Sequence, residues 1–363
     1  MSDSNPASVL APSGTNVADP SNNLAQGKHQ MMSHSLRAEP VEIRWRPDMP
    51  VFASEGFLKS LGDHQYGWIG GKDSSGSLRC VLPYSVIRKP GFRFVRFRVE
   101  TISLDGALSI DDERAFLKSA TEYFRSTGAA MIIPAANTAL FRTYPQGAVA
   151  APYGTFINDL TKPEDKMFAE LHSDYRQNIR KATRSGVQVK SGPEYLDRCH
   201  ELLVETMQRS KMKFKSLLEF RENISSFGDN VKIFVAESEG AIQACLISPF
   251  SMHTGYDWYS GIISKPARGA MHLLIWEAMR HFQQLGAKRF NFTGVRVKPQ
   301  PGSKQEGIFN FKMRFGGVLA EGYMWKYSFS PLKSLAYSWG VRAFMGGDVV
   351  DQELRREESG TPQ

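Results

Sequence analysis

Residues 256–295, "YDWYSGIISKPARGAMHLLIWEAMRHFQQLGAKRFNFTGV", combine two kinds of hydrophobic pattern. The first eight residues are mostly aromatic, β-branched or small, which is typical of a strand. The next segment places Met271, Ile275 and Phe282 at helical spacing and ends at Gly286, a residue that commonly closes a helix. "KRFNFTGV" then returns to a strand pattern. A strand, a helix and a second strand in this order predict an α/β unit.

The same alternation extends in both directions along the chain. Strand-like segments occur at 41–45, 66–71, 78–87, 92–104, 129–136, 155–160, 231–238, 241–250 and 317–329, and helical segments at 110–127, 163–185, 193–212 and 216–226. The length of 363 residues suits two domains plus tails. We therefore predict an α/β (α+β) protein with two tandem domains, residues 39–190 and 191–346, each with a mixed, mostly antiparallel sheet and flanking helices.

Both ends of the chain are polar. Residues 1–38 are rich in Ser, Asn, Pro, Ala and Gly, and residues 347–363 are mostly charged. Such segments bury too little apolar surface to offset the entropy lost on ordering. We expect both to be disordered tails.

Composition and charge limit the classes of protein to which the chain could belong. The net charge of +8 and the pI near 9.3 favour anionic partners. Cys80, Cys199 and Cys245 are widely spaced and predict buried thiols in a reducing compartment, and the eight histidines show no metal-binding spacing, so we expect no metal site. No secretory signal or run of 18 apolar residues is present, which indicates a cytoplasmic protein.

A basic helix is predicted near the middle of the chain. Arg176, Arg180 and Arg184 recur every four residues and would form one stripe. The stripe is either an ordinary solvated face or a ridge that contacts the phosphates of an RNA. Arg209 and Lys213 belong to a second basic group at the end of the next helix, which could face the same cleft or simply be a polar helix end.

Residues 307–317, "GIFNFKMRFGG", predict a short helix closed by two glycines. Helical geometry puts Lys312 on the same face as Phe311 and Phe315. Its stem could pack on the phenylalanines while the ammonium reaches water. Alternatively the ammonium points into a cleft and stabilises negative charge there.

Nucleotide-binding loops are absent or incomplete. Neither Gly-x-x-x-x-Gly-Lys-Ser/Thr nor Gly-x-Gly-x-x-Gly after a strand occurs. The order of strand and helix around "SKPARGAMH" resembles the coenzyme A acyltransferases of the GNAT class. However, Pro266 and Met271 replace two residues of the pyrophosphate loop around Gly269, so the coenzyme loop looks degraded.

The segments "LHSDYRQNIRKATRSGVQV", 256–295 and 307–317 together resemble the FemAB family of aminoacyltransferases. The resemblance spans residues 171–317. Its most specific part is Gly-x-x-x-Phe-Lys-x-x-Phe-Gly-Gly, which Gly307, Phe311, Lys312 and the residues that follow them match.

The resemblance implies a pair of GNAT-like domains and transfer of an amino acid from its tRNA ester to an amine of a peptidoglycan precursor, without a tightly bound cofactor. Lys312 would stabilise the oxyanion and Phe311 would hold its position. The residues that would bind the precursor are Arg209, Lys213, Tyr256 and Tyr259. Asn291 stands where the family usually carries an acidic residue, and the family's coiled-coil insertion is absent.

Two further expectations concern anionic ligands and membranes. The loop "RVKPQPGSK" could place Arg296 and Lys298 on a phosphate, or be an ordinary surface loop. The aromatic run 331–347 could lie at the inner face of an anionic membrane, or pack on the second domain. Two alternatives to aminoacyl transfer stay open: an N-acyltransferase that uses acyl-CoA, and a non-catalytic module that binds RNA or anionic lipid.

Overall fold

A computed structural model describes residues 36–61, 65–106, 108–345 and 347–359, with side chains excepted at 343–345 and 357–359. The strands are β1 (Arg37–Val41), β2 (Gln65–Lys72), β3 (Leu78–Lys89), β4 (Phe92–Phe97), β5 (Ile102–Ser103), β6 (Met131–Ile132), β7 (Val149–Asp159), β8 (Gln188–Ser191), β9 (Val231–Ser238), β10 (Ala241–Pro249), β11 (Gly255–Tyr256), β12 (Tyr259–Ile262), β13 (Arg289–Val295) and β14 (Val318–Ser328). The helices are α1 (Glu55–Lys59), α2 (Ile110–Ser126), α3 (Glu164–Glu170), α4 (Ser173–Arg184), α5 (Leu196–Arg209), α6 (Leu217–Ser225), α7 (Ala270–Gln284), α8 (Lys304–Met313), α9 (Pro331–Met345) and α10 (Val349–Ser359). The predicted N-terminal tail lies outside the described residues, except for 36–38.

Two sheets carry the fold, the larger one mixed and the smaller one antiparallel throughout. The larger has the order β1-β2-β3-β4-β6-β14-β7-β13-β11, with β5 paired to β3, and the smaller has the order β12-β10-β9-β8. The pairs β4–β6 and β11–β13 are parallel. The remaining strand pairs of the described residues are antiparallel. The predicted α/β class with mostly antiparallel sheets is confirmed.

Each half of the molecule has its own core, and β7 and β14 take part in both. In the first half, α2 packs on the sheet around Phe97 and Phe116. In the second, α4 and α7 pack on the sheet around Tyr175 and Phe290. Trp325 of β14 lies in the first core, whereas Phe156 of β7 lies in the second. All the described residues belong to one compact unit.

The boundary between the halves differs from the predicted one at residue 190. Met167 of α3 and Ile179 of α4 are buried in the second core, and β8 pairs with β9 of the second half. The reason is that β7 crosses from one core to the other, so the chain that follows it folds against α7. A local hydrophobic pattern does not reveal such a crossing.

The charged C-terminal segment is also corrected. Residues 349–359 form α10 instead of a disordered tail. Val350 is buried in the first core, and the buried carboxylate of Glu353 pairs with Arg296 at 2.6 Å and Arg356 at 2.7 Å. The apolar side chain and these ion pairs together give the segment enough tertiary contact to become a helix.

The aromatic run folds as α9, which packs on the first half. Tyr337 contacts Phe94 with ring centroids 5.3 Å apart. The opposite face leaves Leu332, Leu335 and Trp339 exposed by 82%, 70% and 75%. Packing on the second domain, one of the two readings of this run, is therefore not what the structure shows.

Candidate active site

The predicted short helix is present as α8, and both of its ends are defined by local chemistry. Ser303 caps the start by accepting a hydrogen bond from the Glu306 amide. Gly316 follows the end with φ of +78°, a conformation that favours glycine. A Cβ atom at Gly316 would lie 2.5 Å from the Glu170 carbonyl oxygen. The chain can therefore turn closely past α3 only with glycine at this position.

Lys312 of α8 is held inside the second half. Its Nζ donates to the carbonyl oxygens of Phe292 at 2.5 Å and Gly294 at 3.2 Å. Burial lowers the pKa of the ammonium, and the charge of the nearby Asp257 opposes this shift. No carboxylate of the described residues forms an ion pair with it within 4.0 Å. An ammonium carries three donors, so one N–H remains for an oxygen of a bound molecule.

A β-bulge in β13 supplies the two carbonyls. The register with β7 shifts between Asn291 and Gly294, and Thr293 has φ of +56°, which is unfavourable for a β-branched residue. Hydrogen bonds hold Thr293 in place: its amide donates to Asn291 Oδ1 and its hydroxyl to the Asp257 carbonyl. The strained residue thus directs its two neighbours toward Lys312.

An aromatic cluster positions Phe311. Tyr175 Oη donates to the Phe311 carbonyl at 3.2 Å, and the rings of His272 and Phe315 lie next to Phe311 with centroids 5.9 and 5.3 Å away. Burial lowers the pKa of His272 to about 4, so the imidazole is neutral at pH 7. The helix bearing Lys312 is therefore fixed by an apolar, uncharged support.

The other predicted binding residues differ in their surroundings. Arg209 donates to the Ile262 carbonyl and to Thr206, and Lys213 is exposed. Tyr259 packs among Phe214 and other rings of the second half.

Tyr256 requires a correction. It is only 3% exposed and packs in a third cluster against Phe52, so it is a core residue and not part of an open cleft. Its position in the short strand β11 directs the ring inward. Aromatic composition alone does not separate such a residue from a ligand-binding tyrosine.

The predicted phosphate-binding residues of the loop 295–304 and of the basic stripe differ in the groups that they contact. Arg296 forms an ion pair with Glu353, and Lys298 lines a cavity. Arg176 donates to the carbonyls of Ala169 and Leu171, where it closes α3.

The rest of the basic stripe lies on the outside of α4. Arg180 lies over the Phe168 ring at 5.3 Å, and the exposed Arg184 donates to the Arg180 carbonyl. The stripe is therefore partly occupied by contacts within the chain, and its contact with RNA stays a prediction.

Two cavities share Arg142 and Glu321 in their linings, and Asn291 of the bulge lines the inner one. The inner cavity has a volume of about 240 Å³ and is lined in part by Glu100, Glu113, Arg289 and Asn291. The outer cavity has about 540 Å³ and is lined in part by Lys298. Sequence reasoning missed Glu100, Glu113 and Arg289 because they are far apart along the chain and follow no motif.

Metal and membrane-spanning features were sought in the part of the chain that the structure describes. No group of three His, Cys, Asp or Glu side chains there is arranged to hold a metal ion. No described helix is both long enough and apolar enough to cross a bilayer. The three cysteines are buried and unpaired.

The family match points to an acyltransferase of the aminoacyltransferase or N-acetyltransferase type. The FemAB family model matches residues 144–241, which confirms the family resemblance. This match and the motif-bearing stretch 171–317 overlap in residues 171–241.

The similarity to one solved structure, that of FemX, supports the fold. The crystal structure of FemX is similar with a TM-score of 0.64 at 14% identity, covering 82% of this chain and 99% of that one. A tandem GNAT protein from the clavulanic acid biosynthesis pathway covers 79% of this chain and 90% of its own at 12% identity, with a TM-score of 0.47. No curated protein matches the sequence.

Proposed function

We propose that this protein transfers an aminoacyl group from the ester of an aminoacyl-tRNA to an amine of a peptidoglycan-type envelope precursor. The observation that carries the proposal is the half-buried ammonium of Lys312, which two backbone carbonyls hold and which forms no ion pair within 4.0 Å with a carboxylate of the described residues. Such an ammonium is suited to a reaction in which negative charge develops on an oxygen.

The reaction needs this kind of group. When an amine attacks an ester, negative charge develops on the carbonyl oxygen. A preorganised donor in a site that excludes water stabilises that charge, and the loss of one such donor typically costs about 3 kcal/mol. Lys312 serves as the donor and Phe311 fixes α8 against Tyr175. The ester is already activated, so the protein needs no nucleophile of its own.

The start of α7 favours a tRNA ester over acyl-CoA as the donor. Gly269, the central glycine of the degraded coenzyme loop, has φ of +84°. A Cβ atom there would lie 2.2 Å from the Asn178 carbonyl oxygen, and Arg268 donates to the Asn178 side chain at 3.0 Å. The glycine thus serves the contact between α4 and α7, and this helix start is already occupied by protein.

The donor is tested by incubating the purified chain and an envelope precursor with labelled aminoacyl-tRNA and, in parallel, labelled acetyl-CoA. We expect label transfer from the tRNA alone, with loss on RNase treatment and in Lys312→Ala. Transfer from acetyl-CoA that persists after RNase would establish the N-acyltransferase instead. Salt-sensitive RNA binding without turnover, unchanged in Lys312→Ala, would establish a non-catalytic module.

We also propose that α9 rests on an anionic membrane surface, since its exposed face consists of Leu332, Leu335 and Trp339. Residues 331–345 contain Lys333 and Arg342 and no acidic residue. Apolar side chains together with nearby cations are the features of interfacial helices. This location would bring the protein to envelope precursors that are linked to lipid.

Vesicle flotation tests the membrane contact. The wild-type chain should float with vesicles that contain phosphatidylglycerol and not with neutral phosphatidylcholine vesicles. Leu335→Glu, at an exposed position where folding should be unaffected, should lose flotation. Glu122→Gln, at an exposed position of α2, is the control. Equal flotation of Leu335→Glu would rule out this face.

A further inference from the structure

Two arginines at the end of β4 are withdrawn from water without a counter-ion. Arg98 is 7% exposed, and Arg96, two residues earlier in the chain, is half-buried. Side chains two residues apart on a strand lie on the same face of the sheet. Neither guanidinium forms an ion pair within 4.0 Å with a carboxylate of the described residues. Burying a charged group without a partner is costly, so two such groups side by side indicate a requirement beyond packing.

Neutral groups hold both guanidinium groups in place. Arg98 Nε donates to Ser85 Oγ at 2.8 Å, and Arg96 Nε donates to the Pro134 carbonyl oxygen at 2.9 Å. Ser85 is fully buried and lies opposite Arg96 in the register of β3 with β4. Both bonds use Nε, and the terminal nitrogens of the two groups donate to no group of the described residues. Because a guanidinium carries five N–H donors, most donors of both arginines stay available.

The charges near the pair leave it positive. Burial lowers the pKa of Arg98 to about 9, and the positive charge of Arg96 adds to this shift, so Arg98 is still protonated at pH 7. Burial also lowers the pKa of Arg96, and Tyr337 and Asp348 oppose that shift. Asp348 already pairs with Lys326 at 3.0 Å. The carboxylate that acts on the pair is therefore balanced elsewhere.

The pair lies between two apolar clusters on one face of the larger sheet. Val81, Ser85 and Ile87 are evenly spaced on β3 and share that face. Val81 belongs to the third cluster, whereas Ile87 and Tyr337 of α9 pack on a separate cluster around Phe94. Ser85 and the two arginines thus occupy the stretch between the clusters. An ion bound among apolar groups interacts more strongly with a cation than it does in water.

We infer that Arg96 and Arg98 form a binding site for a phosphate monoester, carried either by a soluble molecule or by the headgroup of an anionic lipid. The planar fork of each guanidinium matches the spacing of phosphate oxygens. Two positive charges favour a phosphate monoester, which carries up to two negative charges at pH 7, over a single carboxylate.

The site is separate from the proposed transfer reaction, since it uses no residue of the candidate active site. Lipid is one of the two sources because Tyr337, which acts on the charge of Arg96, belongs to α9. The opposite face of α9 carries the exposed Leu335 and Trp339 of the proposed membrane contact.

Calorimetry at constant ionic strength tests the site. The probes are glycerol 3-phosphate and dihexanoylphosphatidic acid, which share the phosphate and differ in the acyl chains. The wild-type chain should bind at least one of them, and Arg98→Gln should bind it at least about tenfold more weakly, as expected for a lost charge-assisted hydrogen bond. Arg96→Gln, at the less buried position, should show the same loss and keeps the test decisive where Arg98→Gln does not fold. Arg37→Gln, at an exposed position of β1, is the control.

The two probes identify the source of the phosphate. Similar binding of both by the wild-type chain assigns the site to a soluble ester, and binding of the lipid alone assigns it to a headgroup. Binding of neither probe, binding of wild-type strength in both Arg96→Gln and Arg98→Gln, or an equal loss in Arg37→Gln would overturn the site.

Thermal unfolding gives a second readout. The bound probe should raise the unfolding temperature of the wild-type chain and leave that of Arg98→Gln unchanged. Without a probe, Arg98→Gln should unfold at the same or a higher temperature than the wild type, because it removes a buried charge that repels Arg96. A marked fall in both arginine variants without a probe would make the arginines structural and overturn the inference.

Discussion

Lys312 and Lys326 lie fourteen positions apart in the chain, the first half-buried and the second buried, and their surroundings are opposite. Lys326 of β14 is 5% exposed and pairs with Asp348 at 3.0 Å and Asp351 at 2.5 Å. Lys312 has only the carbonyls of Phe292 and Gly294. The charge of Lys326 is balanced within the fold, whereas that of Lys312 lacks an ion-pair partner.

The difference separates a structural lysine from a functional one. Two carboxylates next to Lys326 fix the start of α10 on the sheet and leave no charge for a ligand. Two carbonyls hold the Lys312 ammonium in place without neutralising it. Burying an unpaired charge is costly, and groups perturbed in this way concentrate at functional sites.

The largest effect is expected for Lys326→Met. Removing one partner of a buried ion pair strands the other, so the free energy of unfolding should fall by about 3–5 kcal/mol. Urea unfolding followed by circular dichroism measures this loss. A variant that also carries Asp348→Asn and Asp351→Asn should recover part of it. A loss below about 1 kcal/mol would show that the pair behaves as a surface salt bridge.

Lys312→Met should lower the activity strongly and the stability little, the reverse of what we expect for a structural lysine. We expect aminoacyl transfer to fall about 10²–10³-fold, corresponding to one lost oxyanion donor. The free energy of unfolding should fall by less than in Lys326→Met, because Lys312 has no ion pair within 4.0 Å among the described residues and its replacement removes only the longer-range attraction to Asp257. Single-turnover rates and urea unfolding of the same preparation measure both. A strongly destabilised Lys312→Met would assign the lysine to structure and remove the contrast with Lys326.

His272 tests whether the support of Phe311 must be uncharged. Its folded pKa is about 4, below the ordinary value of 6.5, so folding favours the neutral imidazole. Its contribution to the free energy of unfolding is complete above pH 6.5 and is lost as the pH falls toward 4. At pH 5 the loss amounts to about 1–2 kcal/mol. His272→Leu should flatten that part of the stability profile. Identical profiles for variant and wild type would contradict the burial of the ring.

Thr293 gives the smallest effect and tests the bulge that holds Lys312. Thr293→Ala keeps a side chain at positive φ, whereas Thr293→Gly removes that cost. The glycine variant should therefore be more stable than the alanine variant by about 1 kcal/mol in thermal unfolding. Equal stability would mean that the backbone at this position is not strained.

Much of the fold could be predicted from local patterns. The helix 110–127 and the strand 78–87 were predicted within about two residues, because their periodicity and end signals are local properties. The crossing of β7 between two cores and the ordering of α10 could not be predicted. Both depend on contacts between residues distant in the chain, such as Arg296 with Glu353.

The candidate site also has a part that the sequence predicted and a part that it did not. Phe311, Lys312 and the closing glycines form a local motif, and the resemblance to the FemAB family followed from it. Glu100 and the bulge at Thr293 belong to no motif. The bulge reaches Lys312 only when β13 has paired with β7 and α8 has packed against it.

The order of residues by itself determined the α/β class, the short capped helix and the presence of a lysine among phenylalanines, since periodicity and capping act within a few residues. Tertiary structure alone decided that this lysine has no ion pair within 4.0 Å among the described residues while Lys326 has two. Charge pairing depends on distances between side chains, and the folded backbone sets those distances.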